Sequence, residues 1–142
     1  MDVQNTYLKF PADPDERARW APFHARMRET VIPNIADLLT RFRAAGIERL
    51  FARIACLTED GRDRSLSQKK PGFNYLLLPH TSWEAQIVPE LAPQADEITV
   101  LKTTDSALTG TNLRLLLRNL GIQHVVVCGI FTDQCISSTV RS

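Results

Sequence analysis

Cysteine is scarce in this chain and builds no framework. Cys56, Cys128 and Cys135 make an odd count with no Cys-x-x-Cys spacing, which argues against a disulfide scaffold and against a thiolate metal knuckle. Long apolar runs are missing as well: stretches such as Val125-Val126-Val127-Cys128 fall far short of the ~20 residues of a membrane span. The opening Met1-Asp2-Val3-Gln4-Asn5 has neither the basic nor the apolar region of a signal peptide, so a cytoplasmic location is expected. An excess of one charge is also absent. Seventeen Lys and Arg against 16 Asp and Glu leave a net charge of +1, without the basic footprint of a nucleic-acid binder or the charge block of a membrane patch. No Gly-x-Gly-x-x-Gly or Walker-type loop follows an apolar strand, which disfavours a nucleotide-binding domain.

What remains is 142 residues, 44% apolar and 23% charged, a balance that suits one compact globular domain. Asp13-Pro14-Asp15-Glu16 is a helix-start signal, and Trp20, Phe23 and Met27 follow at helical spacing to Glu29. Pro33 opens a second helix with Ile35, Leu38, Leu39 and Phe42 on one face, closed by Gly46. Residues 50–57 read as a strand, 58–75 as a polar loop, and Thr81-Ser82-Trp83-Glu84 as the capping box of a short helix limited by Pro89. Ile98–Leu101 is a second strand. Thr111 caps a helix that carries Leu113, Leu116, Leu117 and Leu120. His124–Gly129 is the strongest strand signal, a β-branched run that expects cover on both faces. Strands alternating with helices predict a three-layer α-β-α domain with a parallel sheet, whose chemistry collects at the carboxyl ends of the strands.

Three polar residues bear on that edge: Lys102 after Leu101, Cys135 after the 129–134 turn, and Asp2 if a strand precedes it. A cysteine ahead of Ile136–Val140 sits at a predicted helix start, where free N–H groups favour the thiolate and can hold an oxyanion. On spacing alone Cys135 reads sooner as an ordinary helix-start cysteine than as a nucleophile, and Lys102 as a solvated lysine. His24, His80 and His124 are isolated and read as structural or surface residues.

The order and wording of these pieces resemble the isochorismatase-like cysteine hydrolase superfamily. The resemblance rests on Asp2-Val3-Gln4, on Val100-Leu101-Lys102 followed by Ser106 and Gly110-Thr111, and on Gly129-Ile130-Phe131-Thr132-Asp133-Gln134-Cys135. It implies a catalytic triad of Asp2, Lys102 and Cys135, and a non-proline cis peptide at Ile130-Phe131. It also implies an oxyanion hole from the backbone N–H groups of Phe131 and Cys135. The reaction implied is hydrolysis of an amide, ureido or carbamoyl C–N bond of a small molecule through a thioester. No cofactor is expected. The region Thr58-Glu59-Asp60-Gly61-Arg62 lacks the Asp-x-His pair of the nicotinamidase branch, so no metal is expected either. Gln4, Arg62, Arg64, Trp83 and Thr132 are the candidates for substrate contact, with Trp20 and Phe23 as possible pocket walls. Lys69 and Lys70 stand in the same charged loop, whose acids Glu59, Asp60 and Asp63 nearly balance it. Against the family, residues 1–142 read as a single domain incomplete at both ends, lacking a first strand and later strand–helix units, and as a homo-oligomer when full length. The competing reading is a pseudoenzyme or inactive fragment that serves as a binding or scaffold domain.

Overall fold

The computed structural model describes residues 1–71 and 76–142. A single turn, α1 (Asn5–Leu8), precedes α2 (Pro14–Arg26). The Asp13 side chain accepts the Glu16 N–H at 2.9 Å, and Pro14 stands in the first turn, where its missing N–H is no loss. The helix does not break near Glu29. A π turn over Met27–Val31 carries it directly into α3 (Ile32–Ala44). Pro33 has no N–H to offer the Glu29 carbonyl, and the ladder widens so that the Ile32 N–H bonds the Met27 carbonyl. The two expected helices are one rod with a wide turn. Met27 and Ile32 bury there with Val3, Val88, Leu91 and Ile130. Gly46, at φ +66°, ends α3 while the Ile47 N–H returns to the Phe42 carbonyl.

Strands β1 (Leu50–Ile54) and β2 (Ile98–Lys102) pair in parallel, Leu50 opposite Ile98 and Ile54 opposite Lys102. The α/β class and the parallel sheet are therefore as expected, and Lys102 stands at the carboxyl edge of the sheet. The remaining described elements are α4 (Leu66–Lys69), a 3₁₀ turn at Pro89–Leu91, α5 (Leu113–Asn119), a π turn over Thr132–Ile136 and α6 (Ser137–Arg141).

Two expectations are corrected. Residues 124–128 form no strand among the described residues, and Val125 and Val126 are 57% and 73% exposed. A β-branched run becomes a strand only where a neighbour supplies its ladder. Here the bonding comes at the far end, where the Met1 amino group donates to the Cys128 carbonyl at 2.7 Å and the Met1 carbonyl accepts the Ile130 N–H at 3.2 Å. The run instead borders an apolar groove of about 580 Å³ facing Leu38, Phe42 and Phe51. The second correction is at 81–84, which is a turn and not a helix. The Gln86 side chain donates to the carbonyls of His80 and Ser82, groups that a helix would need as acceptors. The following backbone is drawn to the N-terminal segment instead: the Asn5 N–H bonds Gln86 and the Val88 N–H bonds Val3.

Glu97 fastens the entrance of β2 to α3. Its carboxylate takes Arg43 at 2.9 and 2.7 Å, Arg49 at 2.9 Å and the Gln94 N–H at 2.8 Å, with 1% of the side chain exposed. Arg43 above all, then the Gln94 N–H and Arg49, hold its carboxyl down at about 2, against the opposing pull of burial. A folded pKa below the unfolded value contributes stability at neutral pH that is lost as pH falls from about 4.5 toward 2. Glu97→Gln should therefore lower unfolding stability at neutral pH by about 2–3 kcal/mol. The gap to the parent should close as pH drops through that window. Urea unfolding at neutral and acid pH checks both, and a gap independent of pH would contradict the account.

Candidate active site

Asp2 occupies a tight turn against the edge of β1. Its N–H donates to the Ala52 carbonyl at 2.9 Å, its own carbonyl accepts the Gln4 N–H at 2.8 Å, and its φ is +57°. That region is unfavourable for residues with a Cβ, and aspartate is among the side chains that tolerate it. The Gln4 amide fixes the turn from below. Nε2 donates to Ile54 at 2.9 Å and Ala85 at 2.8 Å, and Oε1 accepts the Ile54 N–H at 3.0 Å. Gln4 is wholly buried and both its N–H donors are spent on backbone. This corrects the expectation of a substrate contact: Gln4 holds the floor of the site.

Lys102 leaves β2 directly under that turn. Its ammonium lies 2.9 Å from Asp2 Oδ2, and it donates to Cys135 Sγ at 3.3 Å and to the Thr104 carbonyl at 3.2 Å. Two of its N–H groups are spent on hydrogen bonds, and the Asp2 carboxylate lies beside it as an ion pair. Neither Asp2 oxygen accepts a well-aligned hydrogen bond from a described residue, so charge more than hydrogen bonding holds the carboxylate. Asp2 and Lys102 are each 1% exposed and Cys135 5%. Carboxylate, ammonium and thiol thus share one dry cluster, where charges act more strongly than in water.

Cys135 sits in the π turn, whose Ile136 N–H reaches back to the Phe131 carbonyl at 3.2 Å, ahead of the short α6. Sequence reasoning expected a helix start to lower the thiol pKa. The structure does the reverse: burial first, then the Asp2 carboxylate, push the Cys135 thiol up to about 11, and Lys102 only partly offsets them. At neutral pH the sulfur is protonated in the resting site. The Ile130–Phe131 peptide bond is cis. Phe131 stacks edge-on with Tyr7 at 5.2 Å and lies against Phe23 at 5.5 Å. Trp20 meets Phe23 at 5.8 Å.

The remaining candidates make no hydrogen bond or ion pair to Asp2, Lys102 or Cys135 among the described residues, and Thr132 shares the π turn of Cys135. Arg62 is exposed and paired with Asp60 at 3.2 Å. Arg64 donates to the carbonyls of Gly61 at 2.9 Å and Leu76 at 2.7 Å, bracing its own loop. Trp83 is exposed, as is Thr132. The loop does touch the strand end, since the Ser65 N–H donates to the Thr103 carbonyl at 3.2 Å. Among the described residues no group of three His, Cys, Asp or Glu side chains is placed to hold a metal ion, and no helix is long and apolar enough to cross a membrane.

Sequence reasoning missed Tyr7 and Thr139. The Tyr7 phenol is pushed above its ordinary range by burial and then by the carboxylate of Asp2, and its place in α1 five residues after Asp2 gave no spacing signal. Thr139 is buried one helical turn after Cys135.

Aspartate, lysine and cysteine are thus buried together beside the parallel strands of an α/β domain, with Lys102 at their carboxyl edge. The chain belongs to the isochorismatase family: the profile of the isochorismatase domain matches residues 1–142. It is 31% identical to the ureidoacrylate amidohydrolase RutB of Yersinia enterocolitica, over 99% of this chain and 65% of the length of that protein. Among solved structures, an isochorismatase family protein from Desulfovibrio vulgaris superposes with a TM-score of 0.72 at 29% identity, covering 97% of this chain and 68% of the other. A cysteine hydrolase from Pseudomonas syringae shares the fold at a TM-score of 0.76 and 24% identity, covering 99% of this chain and 61% of the other.

Proposed function

We propose that this site hydrolyses a C–N bond, in an amide, ureido or carbamoyl group of a small molecule, through a thioester on Cys135. The observation that carries the reading is the buried ammonium of Lys102, which contacts both the Asp2 carboxylate and the Cys135 sulfur. With the thiol protonated at rest, the nucleophile has to be made on demand. Asp2 takes the thiol proton as Cys135 attacks the carbonyl, so the negative charge moves from carboxylate to sulfur without leaving the reach of Lys102. The backbone N–H groups of Phe131 and Cys135 hold the oxyanion. Protonated Asp2 then gives its proton to the departing nitrogen. Ionised again, it draws a proton from the water that opens the thioester.

The ureido substrate named for the Yersinia relative makes ureido acids the first compounds to try. The chain should release ammonia from members of a panel of ureido acids and small amides. Acid quenching during turnover should leave an acyl adduct, found by mass spectrometry on the Cys135 peptide. Turnover with no adduct on Cys135 would remove the thioester. Absence of both turnover and adduct across the panel would favour the binding or scaffold reading.

A further inference from the structure

One hydroxyl ties the main chain of Cys135 to the loop that follows Lys102. Thr139 is buried on α6. Its Oγ1 donates to the Cys135 carbonyl at 2.7 Å and accepts the Ala107 N–H at 3.0 Å. A threonine in a helix often bonds the carbonyl four residues back. The buried acceptance of an N–H from 32 residues away is the additional feature. Ala107 belongs to the same loop as Thr104, whose carbonyl holds the Lys102 ammonium. The contacts close a ring: Lys102 to Cys135 through nitrogen and sulfur, Cys135 to Thr139, Thr139 to Ala107, and back along the chain to Lys102. The sulfur–ammonium contact of 3.3 Å is one side of that ring, and the Thr139 hydroxyl is the opposite corner.

We infer that Thr139 is a positioning residue for Cys135, its hydroxyl fixing the sulfur against the Lys102 ammonium. The inference rests on the proposed nucleophilic role of Cys135, yet it can be read without any substrate. Thr139→Val keeps the shape and removes the acceptor and the donor, so the Ala107 N–H is left unpaired in a buried place. Thr139→Ser keeps both functions and loses only a methyl group.

The experiment measures the rate of iodoacetamide alkylation at Cys135 against pH, by mass spectrometry of its own peptide so that Cys56 and Cys128 do not contribute. Thr139→Val should displace the profile to higher pH and lower the rate at a given pH about tenfold, the factor associated with roughly one hydrogen bond. Thr139→Ser should follow the parent. Where a substrate is found, Thr139→Val should lower kcat with KM unchanged. A Thr139→Val profile that coincides with the parent, or a Thr139→Ser profile displaced like that of valine, would overturn the inference. If the valine variant does not unfold cooperatively, Thr139→Ala takes its place under the same two criteria. A parent chain that alkylates as described but hydrolyses nothing sinks the proposed function and leaves the positioning result standing.

Discussion

Cys135→Ser should abolish C–N hydrolysis while the protein stays folded. Serine fills nearly the same volume, and its hydroxyl can still accept from the Lys102 ammonium that now meets Sγ at 3.3 Å, so the unfolding midpoint should move little. The chemistry changes far more. The serine hydroxyl is much the weaker acid, and the Asp2 carboxylate is a weak base for it, so the nucleophile is lost and with it roughly four orders of magnitude or more of rate. Cys128→Ser serves as the internal control, because that cysteine lies outside the cluster and engages the chain through its carbonyl, which accepts from the Met1 amino group. Activity of Cys135→Ser within about tenfold of the parent, ~1.4 kcal/mol of barrier, would take the sulfur out of the mechanism.

The features legible in the sequence are those whose causes lie within a few residues. The Asp13 cap, the Pro14 first turn and the Gly46 terminus are local chemistry, and each stands where the residues put it. The apolar run before Lys102 likewise read correctly as a strand. The features that escaped depend on partners far along the chain. Val125–Val127 had the composition of a buried strand, but composition cannot supply a ladder, and the segment stays largely exposed. Gln4 looked like a polar group near the substrate because its partners, Ile54 and Ala85, are 50 and 81 residues away. Thr139 was invisible for the same reason. At the site, the order Asp2, Lys102, Cys135 was legible through resemblance to a family and not through spacing. The direction of the thiol's pKa was misjudged, because the expectation weighed a helix start and could not weigh burial beside a carboxylate.

Asp2→Asn should drive two measurements on the same sulfur in opposite directions. Hydrolysis should fall about a hundred- to ten-thousand-fold, the usual contribution of a positioned general base, since asparagine can neither take the thiol proton nor return it to the leaving nitrogen. Alkylation of Cys135 at neutral pH should rise. The Asp2 carboxylate is, after burial, the main influence holding the thiol up at about 11, while Lys102 pulls it down. Removing a negative neighbour favours the anionic form, so the pKa falls and the thiolate fraction at any lower pH grows about tenfold for each unit of the fall. The buried ammonium loses its counter-charge at 2.9 Å, which costs about 3–5 kcal/mol where no substitute forms. The thiolate is such a substitute, already in contact with the same nitrogen, and ion pairing between Lys102 and Cys135 is the force that lowers the thiol pKa. Both rates are to be read below the variant's own unfolding midpoint. A fall in both would mean that Asp2 holds the site together more than it moves protons. Hydrolysis that persists within about tenfold of the parent would mean that some other group is the base.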